Sequence, residues 1–205
     1  VKIEGEYLFD GPREAVWEIL RDPDILATAL PGTQSLEQVS ENEYAGEMQV
    51  RIGPVGGLFT GRVVISDEVP PESLTMTVEG KGKPGFLKGT GNVQLTTEEA
   101  DKTLMQYQGD MEVGGRMASV GQRMMDSVSK SLLKQGLDSL NQALLARVAA
   151  EDTGEAVEFE APSETEFAAS VAKDMAGEVF SSRRVLWIAG AILILILILA
   201  VILTR

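Results

Sequence analysis

Four carboxylates in strand-like segments, Glu4, Glu6, Glu47 and Asp110, have the best claim to acid–base chemistry, because the chain contains no His and Cys is equally absent. A general acid or base must sit in reach of the proton it moves, with its pKa tuned by its surroundings. Without His or Cys there is no thiolate nucleophile, no disulfide, no Cys/His zinc site, no His-ligated haem and no Ser-His-Asp triad. Carboxylates, Lys, Tyr or a carboxylate-bound metal are what remain. Strand alternation does not pair two of the four acids convincingly, so no catalytic residue and no metal ligand is assigned.

The glycine-rich segments resolve against nucleotide binding. Gly80, Gly82 and Gly85 have the spacing of a dinucleotide fingerprint, but Pro84 interrupts it and the strand-like FLKGTGNVQL follows where a helix should open. Gly53-Pro54-Val55-Gly56-Gly57 lacks the Lys-Ser/Thr of a P-loop and is expected to be a turn. Lys81, Lys83 and Lys88 fall in a stretch free of acids between Glu79 and Glu98, with Phe86 and Leu87 among them. That is either a basic and apolar loop suited to a headgroup or acidic partner, or a solvated loop with one aromatic tucked inward.

A methionine-rich stripe offers different chemistry. Met117, Val120, Met124, Met125 and Val128 would cover one broad face of a helix, with Gly121 permitting close approach. Methionines fill irregular space and adapt to varied apolar ligands. Core packing and the border of a cavity are both open for this stripe. With Leu26, Leu30, Leu58, Phe59 and Phe86 it makes up the expected apolar pocket.

The elements that would position these residues read as follows. Val1, Ile3, Tyr7 and Phe9 open a strand, its alternation broken by Gly5. Asp10-Gly11-Pro12 starts a helix with a capping residue and an early proline, and Val16, Ile19 and Leu20 form its apolar face. Asp22-Pro23 stops it and caps a second short helix over 24–30, closed by Pro31-Gly32. Strands are expected at 34–39, 43–52, 58–69, 73–79, 86–97 and 102–113, between Gly- and Pro-rich breaks. After Gly114-Gly115 a long helix runs to about Ala149, with Leu133, Leu137, Leu140, Leu144 and Val148 on its later face. This order predicts an α+β domain over 1–150: a curved antiparallel sheet of about seven strands around a long C-terminal helix. Two short helices close one end, and a hollow remains for an apolar ligand.

Charge and hydropathy divide the chain further. The formal net charge is −13. Residues 1–150 and the segment 151–182 each carry −8, so the chain repels nucleic acid and anionic lipid in general. Residues 151–182 are expected to be a flexible acidic linker. Phe167, Val171, Met175 and Val179 recur at helical spacing within it, marking a possible amphipathic helix over 164–181. From Val185 to Leu203 no residue is charged. As a helix that run spans ~28 Å, close to the hydrocarbon thickness of a bilayer. Residues 183–205 are therefore expected to be a single-pass transmembrane anchor. The start of the chain shows no signal peptide, so the domain is expected on the cytoplasmic side of the cytoplasmic membrane.

Several segments carry a family resemblance. DGPREAVWEILRDPD (10–24) looks like the opening of the START-like, helix-grip superfamily. LPG (30–32), EYAGEMQVRIGPVGGLFTGRV (43–63), GKGKPGFLKGTGNVQL (80–95) and YQGDMEVGGRMASVGQRMM (107–125) together resemble the G-subunit family of carbon monoxide dehydrogenase over about residues 1–148. The resemblance implies a non-catalytic accessory protein of a molybdenum-containing carbon monoxide dehydrogenase, concerned with attaching it to the cytoplasmic membrane. It carries no sharp site motif.

Two functional classes follow. In one, a membrane-tethered module recruits carbon monoxide dehydrogenase or a related oxidoreductase and binds menaquinone, another quinone or a similar isoprenoid lipid. That would couple the enzyme to the respiratory chain, with no covalent cofactor and no nucleic-acid partner. In the other, a START-like lipid-binding module or carboxylate-dependent enzyme has no link to carbon monoxide.

Overall fold

The computed structural model describes residues 1–99 and 101–153. The expected linker beyond 153, its possible amphipathic helix over 164–181, and the expected anchor at 183–205 lie outside the described residues. Strand β1 (Lys2–Phe9) is followed by α1 (Arg13–Ile19) and α2 (Pro23–Ala29). Six strands come next: β2 (Thr33–Ser40), β3 (Glu43–Ile52), β4 (Val55–Val69), β5 (Ser73–Gly82), β6 (Gly85–Glu99) and β7 (Lys102–Gly115). A 3₁₀ turn (Arg116–Val120) leads into α3 (Gln122–Thr153). The seven strands form one antiparallel sheet in the order β1-β7-β6-β5-β4-β3-β2. The sheet curves around α3, which packs on β1 and β3 and on both short helices. Among the described residues no helix is long and apolar enough to cross a membrane.

Alternation explains which side of the sheet became the interior. Tyr7 and Phe9 of β1, Phe59, Val63 and Ile65 of β4, Leu74 of β5 and Val93 and Leu95 of β6 point inward. Gly5 does not end β1. It pairs with Tyr107, whose ring lies where a Cβ would project from residue 5.

The helix ends show which local signals prevailed. Asp22 caps α2 as expected, accepting from the backbone N–H groups of Asp24 and Ile25. Asp10 does not cap α1, whose N-cap is Pro12 with no side-chain bond. Asn141 of α3 engages Asp10 instead: its amide donates to the Asp10 carboxylate at 3.0 Å, and its Oδ1 accepts from the Asp10 backbone N–H at 2.9 Å. The expected single helix after Gly115 is also corrected. Gly121 adopts φ +91°, a conformation L side chains rarely take, and separates the 3₁₀ turn from α3. Nothing lies within 4 Å of a Cβ built on Gly121, so the glycine serves the backbone turn and not a close approach.

The interior has two clusters. The first joins Phe9, Val16, Ile19, Tyr44 and Leu74 to Leu137, Leu140 and Leu144 of α3. The second, towards the start of α3, joins Ile52, Phe59, Met117, Met125 and Val128.

Candidate functional site

A predominantly apolar cavity of about 160 Å³ lies on the inner side of β2–β6. Its floor is a row of glycines in register across three adjacent strands, Gly46 opposite Gly61 and Gly61 opposite Gly80. A Cβ on Gly61 would meet only backbone atoms of β5, so no side chain fills the space above it. Leu36, Tyr44, Met48, Val50, Phe59, Val63, Val78 and Leu87 form the walls, and Leu30 reaches in from the end of α2. Gly136 of α3 leaves room for the Leu30 side chain, which lies 3.2 Å from where a Cβ would stand.

One polar atom interrupts this lining. Thr33 borders the cavity, and its Oγ1 is buried with no hydrogen-bond partner. An unmatched buried hydroxyl is costly, so it marks a position where an acceptor or donor on a ligand would be favoured. Two inward-facing phenols, those of Tyr7 and Tyr107, are held in the neutral form. Burial raises the pKa of Tyr107; burial and then a 2.9 Å hydrogen bond to Asp138 raise that of Tyr7.

The expected pocket residues are split by this geometry. Leu30 and Phe59 line the cavity. Met117, Met125 and Val128 are buried in the second cluster, with Val120 and Met124 packed against it. That cluster abuts the cavity through Phe59, Val50 and Leu87. Met117 and Val120 lie on the 3₁₀ turn and not on the long helix. Leu26 packs on the first cluster. Leu58 and Phe86 face the opposite way, 45% and 40% exposed on the outer side of the sheet, because they flank the inward-facing Phe59 and Leu87.

Glu4, Glu6, Glu47 and Asp110 are all exposed, on the outward positions of their strands. No cluster of three or more potential metal ligands forms among the described residues. A larger opening of about 1040 Å³ lies between β1, β6, β7 and the start of α3. Residues from both faces of the sheet line it, and its lining is as polar as it is apolar, unlike that of the smaller cavity. The residues that sequence reasoning missed are the glycine floor and the walls from β2, β3 and β5. Only the cross-strand register brings them together.

Comparisons agree with this architecture. A conserved protein from Geobacillus kaustophilus superimposes with a TM-score of 0.68 at 32% identity, covering 71% of this chain and 95% of that one. The Zhui aromatase/cyclase from Streptomyces sp. R1128 gives 0.58 at 16% identity, covering 74% and 97%. A START superfamily protein from Mycobacterium smegmatis gives 0.54 at 13% identity, covering 70% and 96%. At those two lower identities the likeness establishes the fold alone, which is START-like. Among curated proteins none matches this chain. The profile of the carbon monoxide dehydrogenase G subunit (CoxG) matches residues 5–145, from within β1 to the last third of α3 and across the whole cavity. The chain therefore belongs to the CoxG family of carbon monoxide dehydrogenase subunits.

Proposed function

We propose that this protein is a membrane-tethered accessory module that binds the ring of a quinone in the cavity over Gly46, Gly61 and Gly80. In that role it serves a molybdenum-containing carbon monoxide dehydrogenase or a related oxidoreductase. The observation that carries the reading is the cavity itself, an apolar space with a glycine floor and one unmatched hydroxyl, Thr33 Oγ1. A carbonyl oxygen on an otherwise apolar ring matches that lining, accepting a hydrogen bond from the Thr33 hydroxyl.

Size refines the ligand. A cavity near 150 Å³ is large enough for benzene, so 160 Å³ accepts one ring in its present shape. A two-ring head such as that of menaquinone requires Leu30, Leu36 or Leu87 to move, and an isoprenoid tail must run out of the cavity. Family membership supports the partner, and the apolar run from Val185 to Leu203 supports the membrane anchor. The outward position of all four strand carboxylates supports a binding role over acid–base catalysis in the interior.

Organic extraction of the full chain purified from its native membrane, followed by mass spectrometry, tests the reading. A quinone or other ring-bearing lipid at about one per chain is the expected result. An extract without any apolar ligand, together with failure to take up added quinone, leaves recruitment of the enzyme as the whole function.

A further inference from the structure

The outer surface at one end of the sheet is unlike the rest. The β3–β4 and β5–β6 turns, the end of β7, the 3₁₀ turn and the start of α3 all meet there. The Met117 N–H donates to the Pro84 carbonyl, and Met124 lies against Gly53. Across four adjacent strands Thr60, Lys81, Phe86 and Gly114 stand in register on the outer face. The Phe86 ring lies over Gly114, occupying the place any side chain there would need.

Charge separates this end from the remainder. Residues 1–150 carry net −8, and half of their cations are paired, among them Arg13 with Glu72, Arg21 with Glu68, Arg62 with Glu43, Lys102 with Asp10 and Arg147 with Glu18. Lys88 also pairs, with Glu79 at 3.0 Å, and that hydrogen bond lowers the Glu79 pKa. By contrast Arg51, Lys81, Lys83, Arg116 and Arg123 have no ion pair among the described residues, and all five are exposed at this end. Leu58 and Phe86 are exposed beside them. Apolar exposure alone would not mark the site, since Leu8, Val39 and Val69 are also exposed elsewhere. Those residues are accompanied by exposed acids such as Glu6, Glu37 and Asp67.

We propose that this end docks on the headgroup layer of an anionic bilayer, Lys81 and Lys83 meeting lipid phosphates and Leu58 and Phe86 entering the interface. Lysine is depleted from protein–protein interfaces, whereas basic groups beside protruding apolar side chains suit an anionic membrane surface. Each cation near such a surface strengthens binding about fivefold. The acidic remainder of the domain is repelled, so the same field sets the orientation. This docking deepens the membrane reading given above and rests on it for the domain's proximity to lipid.

The chain lacks cysteine, so one introduced thiol gives a unique label. Full-length Thr60→Cys and, at the opposite end, Glu41→Cys would carry an environment-sensitive dye and be mixed with phosphatidylglycerol or phosphatidylcholine vesicles. Flotation reports the anchor, and the dye reports docking. The residue 60 dye should shift to an apolar signal and be quenched by brominated lipid on phosphatidylglycerol alone. Adding Lys81→Glu with Lys83→Glu, or roughly 0.5 M salt, should abolish the signal, and the residue 41 dye should read water throughout. Flotation on phosphatidylglycerol alone, dependent on Lys81 and Lys83, would support docking while removing the anchor. Flotation on both lipids with an aqueous residue 60 dye would overturn docking and keep the anchor. No flotation on either lipid would remove both. A residue 60 dye shielded only on adding the partner dehydrogenase would make this end a protein contact and overturn the proposal.

Discussion

The two ends of α3 are held by different means. Its later half is tied down by polar and apolar contacts together. Tyr7 donates to Asp138, Asp10 and Asn141 bond reciprocally, Arg147 pairs with Glu18, and Leu144 closes over Gly11 with no exposure. Its first nine residues, 122–130, have no side-chain hydrogen bond to the sheet among the described residues. They are held by Met124, Met125 and Val128 against Ile52, Phe59 and Gly53. Directional bonds fix one geometry, whereas methionine contacts tolerate several. The cavity touches the adaptable cluster through Phe59 and Leu87, so the end that can repack is the end a ligand would enlarge.

The largest expected effect sets the two clusters against each other. Phe9→Ala removes a fully buried ring from the fixed end and should cost about 3–5 kcal/mol in chemical denaturation. Met125→Ala, the matched large-to-small change in the adaptable end, should cost less, about 2 kcal/mol, because the methionines beside it can settle into the space. Equal losses would mean that both ends are packed alike.

Next comes Asn141→Ala, which deletes both bonds to Asp10 and should cost about 1–2 kcal/mol. Gln122→Ala, at the exposed start of α3, should stay within about 0.5 kcal/mol. Hydrogen exchange should likewise be faster in 122–130 than in 137–147, and the reverse order would contradict the comparison. Thr33→Val should weaken quinone binding by about fivefold, the value of one hydrogen bond, with little change in stability. A calorimetric titration of both proteins decides it.

The smallest effect concerns pH. The Tyr7 phenol is raised in the folded protein, by burial first and then by Asp138, so the unfolded chain ionises first, near pH 10. Its contribution is fully present below that pH and declines as pH rises towards the folded value. Tyr7→Phe should therefore flatten the alkaline fall in stability, at a cost of about 1 kcal/mol at neutral pH from the lost hydrogen bond to Asp138. An unchanged alkaline limb would show that other groups govern it.

Much of the fold is legible in the sequence because turn chemistry marks strand ends clearly. Pro31-Gly32, Gly53-Pro54, Pro70-Pro71 and Pro84 mark four of the junctions, and β3 runs over the expected 43–52, but β4 begins at Val55, so the expected turn over Gly53–Gly57 shrinks to Gly53-Pro54. The cap on α1 is not legible, because Asp10 is consumed by Asn141, more than a hundred residues away. Leu58 and Phe86 fall on the unexpected face because a shift of one residue reverses a strand side chain, and each neighbours an apolar residue that does turn inward. Met117 and Val120 leave the long helix because Gly121 takes a positive φ, which nothing local announces. The cavity floor is hidden for a different reason. Gly46, Gly61 and Gly80 are scattered along the chain, and only the pairing of β3, β4 and β5 aligns them.

The most direct test fills that cavity. Val78 faces it from β5, so Val78→Phe in the full chain should occupy the space over the glycine floor. Titration with a short-chain quinone, alongside thermal unfolding, separates binding from folding. The account predicts saturable one-to-one binding to the wild type and none to Val78→Phe, with unfolding temperatures that differ little. Equal affinity for the two proteins would place any ligand elsewhere and contradict the cavity as the site.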